Sequence, residues 1–226
     1  MNNTISISWK EVRRFFASPG AYVLLAGSGM FFAVGLIGPQ GAIALIFELT
    51  GFTPDREFPP QRLIWLVGTV RLVAVVLVPM ISMRFFIEEK RNRTIEMLFT
   101  SAIRDQEIIF GKWLGGVVLY SLILAISIAE LAVSYRGREH YWRPILLTHF
   151  ALAVQGGGAL AMGEWISAFS GHETHAAALS FLVSMAVLRY SRTGVLGVSD
   201  LAVCVALMAA GWLLTGLSIR KLRGAF

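Results

Sequence analysis

The chain has 226 residues, 56% of them hydrophobic and 15% charged, with a mean hydropathy of +0.66 and a formal net charge of +6. A soluble domain is about half apolar and about a quarter charged, and here the apolar residues come in blocks of roughly 20, the length that crosses a bilayer. This excludes a soluble helical bundle, and because the basic residues lie mainly between the blocks, the charge reports membrane topology and not nucleic-acid binding.

The sequence predicts one all-α transmembrane domain, residues 1–226, with six membrane-spanning helices at 21–37, 63–86, 108–133, 145–169, 176–188 and 198–219. Residues 1–20 form a helix before the first span. Ile5, Trp9, Val12 and Phe16 recur at helical spacing, Lys10, Glu11, Arg13 and Arg14 take other faces, and Ser18-Pro19-Gly20 ends the pattern. Such a stripe suits an interfacial helix whose basic residues meet anionic lipid and whose Pro-Gly turn redirects the chain into the bilayer. No removable signal peptide is expected, because a basic stretch followed directly by an apolar core and a small-residue cleavage site is missing.

After the first span, 38–62 reads as an outer loop: Gly38-Pro39-Gln40-Gly41 stops the helix and 42–49 is apolar but too short to cross. Between the second and third spans the charged segment 87–107 is neither a tight turn nor a linker. Thr94 is placed to cap a short helix with Glu96 in its first turn, Ile95, Leu98 and Phe99 give that helix an apolar side, and Asp105-Gln106-Glu107 opens the third span. The fifth span is the shortest and needs His175 and Arg189 at the two interfaces.

Six spans put both termini on one side. Lys10, Arg13, Arg14, Arg84, Lys90, Arg91, Arg93, Arg104, Lys112, Arg220, Lys221 and Arg223 crowd that side, and the other segments carry fewer basic residues. The positive-inside rule then makes the termini cytoplasmic, in the inner (plasma) membrane.

Among the polar residues inside the apolar blocks, Arg71, Glu130, Gln155 and Glu164 stand out. A charge at mid-span costs roughly 2.5–3.5 kcal/mol on insertion scales unless it is paired or hydrated. Arg71 and Glu130 match in depth and are expected to meet, either as a structural ion pair or in a substrate path. Gln155-Gly156-Gly157-Gly158 and Gly163 make the fourth span the one with least side-chain bulk, which suits close packing. His172-Glu173-Thr174-His175 lacks the H-E-x-x-H spacing of a zinc site, and Cys204, the single cysteine, permits neither an intrachain disulfide nor a cysteine-based metal site.

The run from Met83 to Gly111 carries a family resemblance. Glu88-Glu89-Lys90, Thr94-Ile95-Glu96, Thr100-Ser101 and Gly111-Lys112 resemble the pattern of type-2 ABC permeases, in particular the subfamily related to gliding-motility permeases. Ser18-Pro19 with the preceding basic helix resembles that family's N-terminal interfacial elbow helix, and Pro79 with Met83-Arg84 and Gly163 with residues 167–170 extend the likeness. The chain departs from the pattern near Arg93, where a glycine is usual, and near Ala102 or Ile103, where a proline is usual. The resemblance implies that 91–101 is a coupling helix docking into a groove on a separate P-loop ATPase subunit, with Glu88, Glu89, Arg91, Thr94, Glu96, Leu98, Phe99 and Ser101 at that interface. It further implies a second permease copy or paralogue, an accessory protein, and export.

No P-loop G-x-x-x-x-G-K-[ST] is present, so ATP and magnesium are expected on the partner and no cofactor on this chain. Two other classes fit an all-helical membrane chain: an ATP-independent secondary transporter or channel, and an intramembrane enzyme or assembly scaffold. The second would depend on groups such as Glu164 or His172.

Overall fold

A computed structural model describes residues 3–37, 60–95, 97, 103–134, 142–189 and 198–224. Among them are eight α-helices and no strand: α1 Asn3–Ala17, α2 Pro19–Ile37, α3 Pro60–Ser82, α4 Arg84–Arg91, α5 Asp105–Ser134, α6 Trp142–Phe169, α7 Glu173–Arg189 and α8 Val198–Arg223. Five of the six expected blocks lie each in one helix, and the second, 63–86, runs from α3 across Met83 into α4. The outer loop expected before the second span falls outside the described residues, apart from its last positions in α3.

Four of the described segments are long and apolar enough to cross a membrane: Val70–Arg91, Asp105–Val133, Ile145–Phe169 and Asp200–Arg223. The first joins α3 to α4 across Met83, so the second span runs on past its apolar block into the charged segment. Helices α1 and α2 meet at 82°, and together they make a fifth candidate. Helix α7, with 17 residues, is roughly 25 Å long, short of an about 30 Å hydrocarbon core.

The bundle is organised around α6, which packs on α8, α7, α5, α3 and α4. Glycine explains how closely it does so. A Cβ on Gly156 would stand 2.1 Å from the Tyr120 ring of α5, and one on Gly158 would stand 3.1 Å from the Cys204 carbonyl oxygen of α8. Without a hydrophobic drive between helices in lipid, such contacts supply van der Waals energy and close backbone approach. The Trp113 indole of α5 also donates to the Gly157 carbonyl at 2.9 Å, fixing the α5–α6 register.

The other extensive contact runs between α1 and α5. Gly111 and Gly115, four apart, flatten one face of α5. A Cβ on Gly111 would lie 2.7 Å from Cβ of Ile7, and one on Gly115 would lie 2.9 Å from Cβ of Glu11. The apolar stripe read along α1 therefore divides. Val12 is buried toward the bundle, whereas Ile5 and Trp9 remain exposed.

One end of the bundle gathers the charged connections. Asn3 Nδ2 donates to Glu107 at 3.2 Å, Arg223 meets Asp105 at 3.0 Å, and Arg91 meets Glu173 at 3.5 Å. The start of α1, the α4–α5 connection, the start of α7 and the end of α8 thus share one side, which places both ends of the described chain together.

Candidate functional site

At that end, α4 is tied into the bundle from two directions. Its first turn follows the irregularity at Met83, one turn after Pro79, which has no backbone N–H to offer the helix. Ser167 of α6 enters the gap: its Oγ accepts from the Phe86 amide at 3.0 Å and donates to the Met83 carbonyl at 2.9 Å. At the other end of α4, Lys90 Nζ donates to the carbonyls of Ala168 and, at 2.9 Å, Ser170. These oxygens belong to the end of α6, where helical carbonyls lack internal partners and a cation suits the helix dipole.

The second tie is a buried charge cluster. Lys112 of α5 is 1% exposed, and its Nζ lies 3.0 Å from Glu11 Oε1 of α1 and 3.0 Å from Glu89 Oε1 of α4. The same ammonium donates to the Phe85 carbonyl and stands 5.0 Å from the Phe86 ring centroid. Lys112 sits about 10 Å into α5 from Asp105. The flat Gly111–Gly115 face lets α1 approach closely enough to bring Glu11 onto it. Lys10 approaches Glu89 at 3.7 Å, Arg14 approaches Glu11 at 3.7 Å and Glu88 at 3.4 Å, and Arg84 approaches Glu88 at 3.9 Å. Glu164 of α6 is fully buried within the field of Lys112 and Glu11, and neither of its carboxyl oxygens has a hydrogen-bond partner among the described residues. Desolvated ions joined this way hold their helices together because removal of either partner strands the other.

Helix α4 closes in a Schellman turn. The Arg93 amide donates to the Lys90 carbonyl at 3.2 Å and the Thr94 amide to the Glu89 carbonyl at 3.0 Å, with Arg93 left-handed at φ 53°. Glycine is the usual residue of such a position, which gives a physical reason for the glycine common near here in the resembled pattern. The Thr94 hydroxyl donates back toward the Glu89 carbonyl at 3.5 Å. Ile95, next in the chain, is buried in the main core. On the far side of the connection, the Glu107 carboxylate accepts from the Arg104 amide at 3.0 Å, half of a capping box that opens α5.

The structure therefore brings some of the singled-out residues together. Glu88 and Glu89 join the ion-pair cluster, Glu89 facing inward; Arg91 and Thr94 are exposed at the tip of α4. Glu96, Leu98, Phe99 and Ser101 lie outside the residues whose side chains are described. Arg71 is half-buried in the electrostatic neighbourhood of Tyr120 and Asp200, while Glu130 lies beside α2, 3.7 Å from where a Cβ on Gly29 would stand. Gln155 is buried on α6. His172 and His175 are exposed, with ring centroids 5.6 Å apart.

Sequence reasoning gave no such role to Lys112, Glu11, Lys90 or Ser167. The available signal was Lys112 itself, a charge one turn inside an apolar block and flanked by glycines four apart.

Comparison with known families agrees with this architecture. A family model described as ABC-2 family transporter protein matches residues 61–209, from the start of α3 into α8. The matched stretch contains α4, Lys112 and Glu164 and stops short of Glu11 on the α1 side. No curated protein matches the chain. The chain is a multi-pass membrane permease belonging to the ABC-2 family of transporter proteins.

Proposed function

We propose that this chain is the membrane-spanning subunit of an ABC-type exporter, driven by ATP hydrolysed on a separate P-loop ATPase subunit and working beside a second permease copy or paralogue. ATP and magnesium belong to the partner. The observation that carries the reading is the continuation of the second span through Met83 into α4, whose tip lies at the turn 91–94. A push on that tip passes into α3 along the helix, into α6 through Lys90 and Ser167, and into α1 and α5 through Lys112.

In this reading α1 is the interfacial elbow, α7 completes six spans, and the segment from Glu88 to Ser101 is the coupling element. The end bearing both termini faces the cytoplasm, as its density of Lys and Arg favours in an inner membrane. ATPase closure tilts the second and third spans and alternates access to a path between two permease subunits. Arg71 and Gln155 are the candidates for contact with whatever passes along it.

The test is co-purification from native membranes in mild detergent, followed by ATPase assay in lipid. A stoichiometric P-loop ATPase whose binding or stimulation is lost in Glu96→Ala/Leu98→Ala supports the reading. A chain that transports without any ATPase, or that keeps both stimulation and transport in that variant, would be an ATP-independent carrier or one coupled elsewhere.

A further inference from the structure

A cleft of about 200 Å³ opens between α1, the α3–α4 junction and α5. Its walls are apolar, formed by Phe15, Ile81, Phe85 and Leu119, and its polar side carries Arg14, Arg84, Glu11 and Glu88. We propose that this cleft is a binding site for the headgroup of an amino phospholipid, a phosphate ester bearing a primary ammonium.

Three observations converge on that ligand class. The first is charge balance. Two guanidinium groups face two carboxylates, so the site offers donors for one phosphate and acceptors for one ammonium, and a purely anionic headgroup would meet Glu11 and Glu88 as well as the arginines. The second is unused bonding capacity. The arginine–carboxylate separations at the cleft are 3.4–3.9 Å, longer than charge-assisted hydrogen bonds. A phosphate oxygen between Arg14 and Arg84 would supply short charge-assisted bonds that the loose pairs lack.

The third is position and size. Ile5 and Trp9 on the outer face of α1 are exposed, and tryptophan concentrates at the membrane interface, the depth at which a headgroup sits. The cleft is smaller than the about 300–1,000 Å³ of sites that enclose a whole small molecule. It would seat a headgroup against an apolar floor and leave the acyl chains in the bilayer. The inference needs the chain to be membrane-embedded and is independent of ATP coupling.

Native mass spectrometry of the full-length protein tests this, with phosphatidylethanolamine, phosphatidylcholine and phosphatidylglycerol of identical acyl chains, and with soluble glycerophosphoethanolamine as competitor. The wild-type protein should retain phosphatidylethanolamine about tenfold better than either other lipid, the scale of one charge-assisted hydrogen bond. The soluble headgroup should not displace it at equal concentration. Arg84→Gln should lower that retention by about the same factor, while Arg220→Gln, exposed at the end of α8, should not. Equal retention of phosphatidylcholine would show that the ammonium is not hydrogen-bonded, and stronger phosphatidylglycerol binding would make this an anion site. Displacement by the soluble headgroup would make the ligand a free metabolite, and an unchanged Arg84→Gln would place the lipid elsewhere. Each of these overturns the proposal. If Arg84→Gln does not fold, the wild-type headgroup series alone decides between the outcomes.

Discussion

The ammonium of Lys112 and the carboxylate of Glu89 stand 3.0 Å apart with both side chains buried, although the residues come from different helices separated by the whole charged connection. Glu11 completes the cluster from α1 at the same distance. Lys112→Met should therefore strand two desolvated carboxylates and destabilise the protein by about 3–5 kcal/mol. Glu89→Gln should cost less, because Lys112 keeps Glu11. Adding Glu11→Gln and Glu89→Gln to Lys112→Met should recover much of the loss. Thermal unfolding in detergent, followed by fluorescence-detected size exclusion, measures all of these variants, and a Lys112→Met protein as stable as wild type would refute the account.

Ser167 replaces a missing rung of backbone bonding at the α3–α4 junction. Ser167→Ala leaves the buried Phe86 amide without its acceptor, at a cost of about 1–3 kcal/mol. Lys90→Met removes the cation from the end of α6 a short distance away, so the two effects should be non-additive by more than about 0.5 kcal/mol. A double-mutant cycle on unfolding midpoints gives the coupling; strict additivity would mean that α4 is not held to α6 as one unit.

At Arg93 the left-handed backbone costs a non-glycine residue roughly 1–2 kcal/mol. Part of that returns as unfolded-state entropy when glycine is introduced, about 0.4–1 kcal/mol. Arg93→Gly should thus stabilise the protein by a net amount near 0.5 kcal/mol or somewhat more. Arg93→Pro should do the reverse, since it demands φ near −65° and deletes the amide that donates to Lys90. Equal midpoints for the two variants would contradict the Schellman geometry.

Two glycines predict opposite outcomes. A Cβ on Gly211 would lie 2.6 Å from the carbonyl carbon of Ala161, which is backbone and has no rotamer to yield, so Gly211→Ala should push α8 from α6 and cost about 1–3 kcal/mol. A Cβ on Gly68 meets nothing within 4 Å among the described residues, and Gly68→Ala should be neutral or stabilising by up to about 1 kcal/mol from helix propensity. Expression level and unfolding midpoint in the same detergent distinguish the pair.

The membrane class, the helical blocks and their order were legible in the sequence, because hydropathy at span length is a property of contiguous residues that survives without tertiary context. The same holds for the start of α5. Glu107 reaches the Arg104 amide in the same turn, and a cap needs only local chain. Family membership was legible for a related reason: the residues from Met83 to Gly111 carry their pattern in consecutive positions.

What the linear order could not decide was which faces meet. Glu11, Glu89 and Lys112 are far apart along the chain and unremarkable singly; only the 82° bend after α1 and the flat Gly111–Gly115 face of α5 bring them together. Ser167 and Lys90 likewise acquire their roles because α4 continues α3 and passes the end of α6, and a helix's direction beyond its last apolar residue is set by packing and not by hydropathy. Sequence by itself determined a helical membrane permease and its order of spans, since burial in lipid is written residue by residue. Tertiary structure decided how α4 is held against α6 and where the charge cluster forms, because both depend on contacts between surfaces that no single segment encodes.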